Sequence, residues 1–159
     1  MDREQFIREI SVEQESLRRF LLPLCNGDRS LADDIAQDAA IKAWLAADRF
    51  RGDSRISTWL FRIAYNTWCD RKYRGHCGEG LDSREALSLT DGTPADGRFE
   101  YEPLYQAIAG LKPKEKAAIL LFYMEDKSIR EIASIMNIPE GTVKSLLSRG
   151  RENLRIKLK

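Results

Sequence analysis

The chain has 159 residues, 43% of them hydrophobic and 32% charged, and its 26 Lys and Arg against 25 Asp and Glu leave a net charge of +1. Such a composition supplies globular cores, and no apolar run approaches the ~18 residues of a membrane-spanning helix, so membrane insertion is excluded. A protein that merely coats nucleic acid is also disfavoured, because it would carry a strongly basic surplus.

Charge is nonetheless segregated along the chain. Gly75–Glu102 holds seven acids (Glu79, Asp82, Glu85, Asp91, Asp96, Glu100, Glu102) and two bases, Arg84 and Arg98. After Thr142 come six bases (Lys144, Arg149, Arg151, Arg155, Lys157, Lys159) and one acid, Glu152. The opening MDREQFIREI carries acids and lacks the apolar core of a signal peptide, which makes the cytoplasm the expected location. Cys25, Cys69 and Cys77 are odd in number and lack CxxC spacing. They signal neither a disulfide framework nor a zinc finger. His76 beside Cys77 has only Cys69 near it to complete a metal site, so reduced thiols and no cofactor are expected.

In chain order, Phe6, Ile10, Leu17 and Phe20 predict an amphipathic helix from Asp2 through Phe20, continuing to Leu22 before Pro23. Asn26–Ser30 breaks the pattern. A second helix is predicted from Leu31 to Ala47, with Ala32, Ile35, Ala36, Ala39 and Ala43 forming a small-residue face. Opposite it, Asp34, Gln37, Asp38 and Ile41 recur at i, i+3, i+4, i+7. An acidic stripe is usually just solvated, but this mixture also suits docking on a basic helical partner.

Phe50–Ser57, FRGDSRIS, reads as a loop rich in turn formers. A third helix is predicted from Thr58 to Arg74, with Leu60, Ile63, Ala64, Thr67 and Trp68 inward and Arg62, Asn66, Asp70 and Tyr73 on a second face. Aromatic residues beside Arg and Asn fit stacking and base-edge contacts with single-stranded nucleic acid, although some of Trp59, Phe61, Tyr65 and Trp68 belong to the core. Gly75–Gly97 has five glycines, a proline and no periodicity, and is the natural flexible linker. Helical pattern resumes near Pro103 with Leu104, Ile108 and Leu111. Lys112-Pro113 starts a new helix, in which Ala117, Ala118, Leu121 and Met124 line the core face of Lys114–Met124.

Ser128–Arg155 completes the chain as two helices around a tight turn. Ser128 and Glu131 are spaced for a capping box. Asn137 suits the left-handed position that ends a helix, and Pro139 is pre-set for the first turn of the next. In that next helix Val143, Leu147, Gly150 and Leu154 form the buried stripe, with Leu146 at its edge. Thr142, Lys144, Ser145, Ser148, Arg149 and Arg151 stay largely outside it. A helix buried along one stripe and cationic along the other is what a major-groove reader needs. No β-alternation competes anywhere, so the fold class is all-α: two small helical domains, 1–74 and 103–159, joined by an acidic linker over 75–102.

Two separated blocks carry a family resemblance. FRGDSRISTWLFRIAYNTWCDRKYR resembles region 2 of bacterial extracytoplasmic-function (ECF) sigma factors of the sigma-70 family. LKPKEKAAILLFYMEDKSIREIASIMNIPEGTVKSLLSRGRENLR resembles their region 4. The resemblance implies a non-enzymatic initiation factor whose partners are core RNA polymerase (its β′ clamp and β flap), promoter DNA and an anti-sigma factor. It implies that Asp33, Asp34, Gln37, Asp38 and Ile41 bind polymerase. Phe50, Arg51, Gly52, Ser54, Ser57, Trp59, Arg62, Asn66 and Asp70 are implied to read and melt the −10 element. Glu140, Gly141, Thr142, Lys144, Ser145, Ser148, Arg149 and Arg151 are implied to bind the −35 element. Two positions depart from the family pattern: Ala40 stands where a large aromatic residue is common, and Leu146 where a basic one is frequent. The competing expectation is a stand-alone helix-turn-helix regulator that never touches polymerase, which leaves the acidic stripe and aromatic loop without a task.

Overall fold

The computed structural model describes residues 3–52, 55–72 and 102–158, and every regular element among them is helical. Most of the acidic segment lies outside the described residues, as do Ser54, Tyr73, His76 and Cys77.

Helix α1 (Arg3–Leu24) buries Phe6, Ile10, Leu17, Phe20, Leu21 and Leu24, and it carries Pro23 inside its last turn instead of ending before it. The chain then reverses through Asn26 (φ 57°) and Gly27 (φ 87°), left-handed conformations that these two residue types accept readily. Asp28 caps α2 (Arg29–Leu45) by accepting from the Leu31 amide at 3.1 Å. That cap starts the helix two residues before the expected Leu31. The expected small face is the buried one: Ala32, Ile35, Ala36, Ala39 and Ala43 let α2 lie close against α1. The helix stops at Leu45, and Ala47–Arg49 tighten into a 3-10 turn. Helix α3 (56–72) begins before Ser57, so the expected loop is shorter and Ser57 is helical. Leu60, Phe61, Ala64, Tyr65, Thr67 and Trp68 are buried, whereas Ile63 is half-buried. The buried Thr67 hydroxyl donates to the Ile63 carbonyl (2.8 Å) and accepts from Lys42 Nζ (3.1 Å), which satisfies it.

The second unit opens with α4 (Glu102–Ala109) and α5 (Pro113–Ile119), the latter with Pro113 in its first turn as expected. The single helix expected from Lys114 to Met124 is broken, because Leu120–Met124 widens into a π-helical turn. That turn buries Leu120 and Leu121 but leaves Met124 half-buried and Tyr123 exposed. Helix α6 (Ile129–Met136) has the full capping box: Ser128 Oγ accepts from the Glu131 amide (3.1 Å), and Glu131 Oε1 accepts from the Ser128 amide (2.9 Å). Asn137 ends it at φ 59°. Helix α7 (Glu140–Leu158) follows after Ile138 and Pro139. The Pro139 carbonyl accepts from the Thr142 and Val143 amides at 3.0 and 3.1 Å, which puts Pro139 just before the first turn and not inside it.

Leu146, expected at the edge of the α7 stripe, is buried with Val143, Leu147 and Gly150, while Leu154 is half-buried. Gly150 permits a close approach between α7 and α5. A Cβ there would sit 2.7 Å from Cγ1 of Ile119, so only glycine lets α7 press onto α5.

The two units also meet through their apolar surfaces. Buried residues form one continuous cluster from Phe6 to Leu147, with α1 packed against α4, α5 and the π turn. Helical units this small bury only part of their apolar surface alone, and here the remainder meets.

Candidate nucleic-acid interface

Helix α7 presents the polar face that its sequence pattern requires. Glu140, Gly141, Thr142, Lys144, Ser145, Ser148, Arg149 and Arg151 are all exposed, and the buried stripe holds the helix from behind. Two of the cations already have protein partners. Arg149 Nε lies 3.7 Å from Oε2 of Glu115, a carboxylate only 4% exposed, whose Oε1 also accepts from Asn153 at 3.1 Å. Arg151 donates to the Tyr123 hydroxyl at 3.2 Å. Lys144 and Glu140, one turn apart at the N-terminal end, face solvent. Leu146 is 4% exposed, so its side chain packs inward and offers nothing to a groove.

Along the loop and α3 the predicted residues separate into four groups. Phe50 and Trp59 are half-buried and packed with Phe6, with ring centroids 5.1 Å apart for Phe50–Trp59, 5.8 Å for Phe6–Trp59 and 6.4 Å for Phe6–Phe50. This aromatic triad braces the base of the loop. Arg51 and Gly52 are exposed at the loop's start, Gly52 at φ 79°, a conformation disfavoured for side chains with a Cβ. Asn66 and Asp70 are exposed on one face of the helix, four residues apart. Arg62 and Ser57 are engaged by the second unit. Arg62 donates from Nε to the Ser134 carbonyl (3.0 Å) and from a terminal nitrogen to the Ser134 hydroxyl. Lys127 Nζ donates to Ser57 Oγ at 3.3 Å.

The α2 stripe is exposed as expected at Asp33, Asp34, Gln37 and Ile41, with Asp38 half-buried. Sequence reading missed Leu45, which at 75% exposure extends the stripe by one more turn beyond Ile41 at 54%. Its spacing, four residues after Ile41, was the available signal. The charges are also organised in ways that spacing cannot show. Arg18 Nε pairs with Asp33 Oδ1 at 2.9 Å. Arg71, from α3, pairs with Asp38 at 2.8 Å and reaches Asp34 at 3.9 Å. The acids are thus partly neutralised from behind and held in place by α1 and α3.

Burial pushes the Cys25 thiol up to about 12, with Asp28 adding to the effect, and burial likewise raises Cys69. Both thiols are protonated at neutral pH and poor nucleophiles. Among the described residues no group of three or more His, Cys, Asp and Glu is placed to hold a metal ion. No helix among them is long and apolar enough to cross a membrane.

A capped helix, a left-handed turn and a cationic exposed helix define a helix-turn-helix DNA-reading unit, here joined to a second helical unit with its own polar face. Comparison with known proteins matches both units: residues 12–75 fit the model for sigma-70 region 2, and residues 101–154 that for sigma-70 region 4. The ECF RNA polymerase sigma factor SigW of Bacillus subtilis is 37% identical over 141 residues, covering 80% of this chain and 75% of SigW. The ECF RNA polymerase sigma-E factor of Escherichia coli is 36% identical over 132 residues, covering 75% and 69%. Among solved structures, the sigma factor RpoE of Bartonella quintana, crystallised with the anti-sigma factor NepR, superposes with a TM-score of 0.77 at 28% identity over 98% of this chain and 97% of that one. The chain belongs to the ECF group of the sigma-70 family of RNA polymerase sigma factors. Because both regions match, the stand-alone helix-turn-helix regulator is not favoured.

Proposed function

We propose that this ECF sigma factor divides its work among the three surfaces described above. The stripe Asp33, Asp34, Gln37, Asp38, Ile41 and Leu45 on α2 docks on core polymerase. Arg51, Gly52, Ser54, Ser57, Arg62, Asn66 and Asp70 capture unpaired bases of the −10 element. The exposed face of α7 reads the −35 duplex in the major groove. Phe50 and Trp59 act from behind, shaping the loop by packing against Phe6.

The observation that carries this reading is the α2 stripe. Carboxylates pinned by Arg18 and Arg71 sit beside exposed Ile41 and Leu45, a mixture suited to a helical partner with both basic and apolar character. The chemistry at the DNA is physical, not covalent. Melting is favoured when unstacked bases find hydrogen-bond partners and stacking surfaces, which offsets a few kcal/mol of unpairing. Duplex reading uses base-edge contacts from the start of α7 and phosphate contacts further along it. The protein thus works in the cytoplasm without catalysing a reaction of its own. An anti-sigma factor, such as the one bound to the B. quintana relative, is the partner proposed to hold it inactive.

Run-off transcription with core polymerase on a promoter library tests the assignment. The expected result is initiation at a restricted set of promoters that share −35 and −10 sequences. Core polymerase that initiates equally with and without the protein would overturn it.

A further inference from the structure

The π turn delivers to α7 a side chain that a regular helix would bury. Continued as an α-helix, α5 would stack Tyr123 under Ile119 and Leu120, its neighbours at i−4 and i−3, both of which are buried. The wider turn, closed by the Glu125 amide donating to the Leu120 carbonyl at 3.1 Å, instead leaves Tyr123 52% exposed. Phe122 supports the tyrosine ring edge to face at 4.9 Å. Just after the turn, Arg19 of α1 grips both carboxylate oxygens of Glu125 at 3.1 Å across the seam between the two units, so the turn is anchored at its end.

The Tyr123 hydroxyl accepts from a terminal nitrogen of Arg151 at 3.2 Å. Its own O–H is left to donate, and the guanidinium keeps its charge and its other donors. The acid next to Arg151 in sequence, Glu152, is taken by Arg155 at 2.7 Å. Arg149 differs, since the buried Glu115 already offsets its charge. A cationic fork beside a hydroxyl donor is a donor set that suits phosphate. Its place on the helix fits as well. Lys144, Ser148 and Arg151 share one face of α7 at i, i+4, i+7. From Lys144 to Arg151 the helix advances about 10 Å, close to the ~12 Å width of the major groove. With Lys144 at the base edges, Arg151 and the tyrosine beside it stand at the groove wall, where the phosphates are.

Resting on the reading of α7 as the −35 reader, we propose that Tyr123 and Arg151 form a clip for one DNA phosphate at the edge of the −35 element, the phenol O–H and the guanidinium donating to the same phosphate group. The π turn is then part of the DNA interface, because it brings in a contact from outside α6 and α7. Such a clip carries no base preference. It fixes the register in which α7 enters the groove.

Tyr123→Phe removes the O–H and keeps the ring on Phe122. Holoenzyme assembled from the full chain and core polymerase is titrated with promoter duplexes at several salt concentrations. The variant should bind every −35 sequence about three- to tenfold more weakly, as for one lost hydrogen bond to a charged group. Its salt slope should stay at the wild-type value, because a neutral phenol releases no counterion, whereas Arg151→Ala lowers the slope by about one. In the Arg151→Ala background Tyr123→Phe should still cost affinity. No further loss there would reduce Tyr123 to a support for Arg151 and overturn the clip. Duplexes carrying one neutral methylphosphonate at a time locate the phosphate. At one linkage flanking −35 the wild type should weaken, and Tyr123→Phe should add less there than at any other linkage. An effect of Tyr123→Phe that is equal at every linkage, or absent, would overturn the clip while leaving α7 as the reader. A wild type insensitive to every linkage around −35 would overturn the reading of α7 as well.

Discussion

Lys116 allows a prediction whose sign and size follow from its position. It lies on α5 at 4% exposure, and its Nζ donates to Asn26 Oδ1 at 2.9 Å across the seam. Among the described residues no carboxylate forms an ion pair with it. The groups facing it from the first unit are Lys72 of α3, another cation, and the Cys25 thiol. Burial, reinforced by Lys72, lowers its pKa from 10.5 to about 8. At pH 7 both native and unfolded chains keep the proton, so the native state carries the whole cost of the buried ammonium, about 3 kcal/mol at ~1.4 kcal/mol per unit. As pH rises above about 8 the native chain releases the proton while the unfolded chain holds it to about 10.5. The unfolded state then binds more protons, and stability rises with pH across that window. Relief should reach about 1 kcal/mol at pH 9, equivalent to ~2–4 °C in Tm for a chain of this size.

Other lysines, tyrosines and thiols titrate in the same window, so the comparison is with Lys116→Met. That variant has no proton to release, and leaving Asn26 Oδ1 without its donor costs ~1–3 kcal/mol that does not vary with pH. Thermal melts of both proteins at pH 7, 8, 9 and 10 give the difference curve. The wild type should gain on the variant by about 1 kcal/mol at pH 9 and about 2.5 kcal/mol at pH 10. Parallel curves would refute the burial of a charged Lys116 at this seam.

Gly150→Ala gains ~1 kcal/mol of helix propensity but drives a methyl into Ile119, which is 2% exposed, so overpacking of ~1–3 kcal/mol should win. A urea midpoint that stays level or rises would show that α7 and α5 have room to spare. Asp34→Arg with Asp38→Arg should weaken binding to core polymerase strongly while costing the fold only ~1–2 kcal/mol, since the pairs lost to Arg71 are partly exposed; titration against core polymerase and a urea curve measure the two. Asn66→Ala should slow open-complex formation on duplex promoters and do less harm on a template already mismatched at −10, because the unpairing cost is gone there. Permanganate reactivity compares the templates, and equal defects would remove Asn66 from strand separation. Glu140→Ala or Lys144→Ala should change which −35 sequences are preferred, by ~1–3 kcal/mol at the base read, whereas Arg151→Ala should weaken all sequences alike and lower the salt slope by about one. Arg149→Ala should do the same with a smaller slope change, because Glu115 already neutralises part of its charge. Binding to a randomised duplex at several salt concentrations separates these outcomes.

What was legible in the chain itself was local. The capping box at Ser128, the left-handed Asn137, the alanine face of α2 and the stripe on α7 follow from side-chain type and helical period, and each needs only neighbours a few residues away. The exposed polar faces of α2 and α7 were legible for the same reason, since exposure opposite an apolar stripe is a property of one helix. Small boundary errors came from local chemistry given too little weight: Asp28 starts α2 early, and the Pro139 carbonyl puts that proline ahead of α7. The π turn at Leu120–Met124 has no such local signature. Tertiary structure decided which charges are spent and which are free. Arg62, Asn66 and Asp70 are equivalent on a helical wheel, yet only Arg62 meets Ser134, 72 residues away. Arg19 finds Glu125 106 residues on, and Arg149 finds the buried Glu115. Pairings at that separation depend on how two apolar surfaces meet. Burial there sets the strength of each charge interaction, and no periodicity in the chain encodes it.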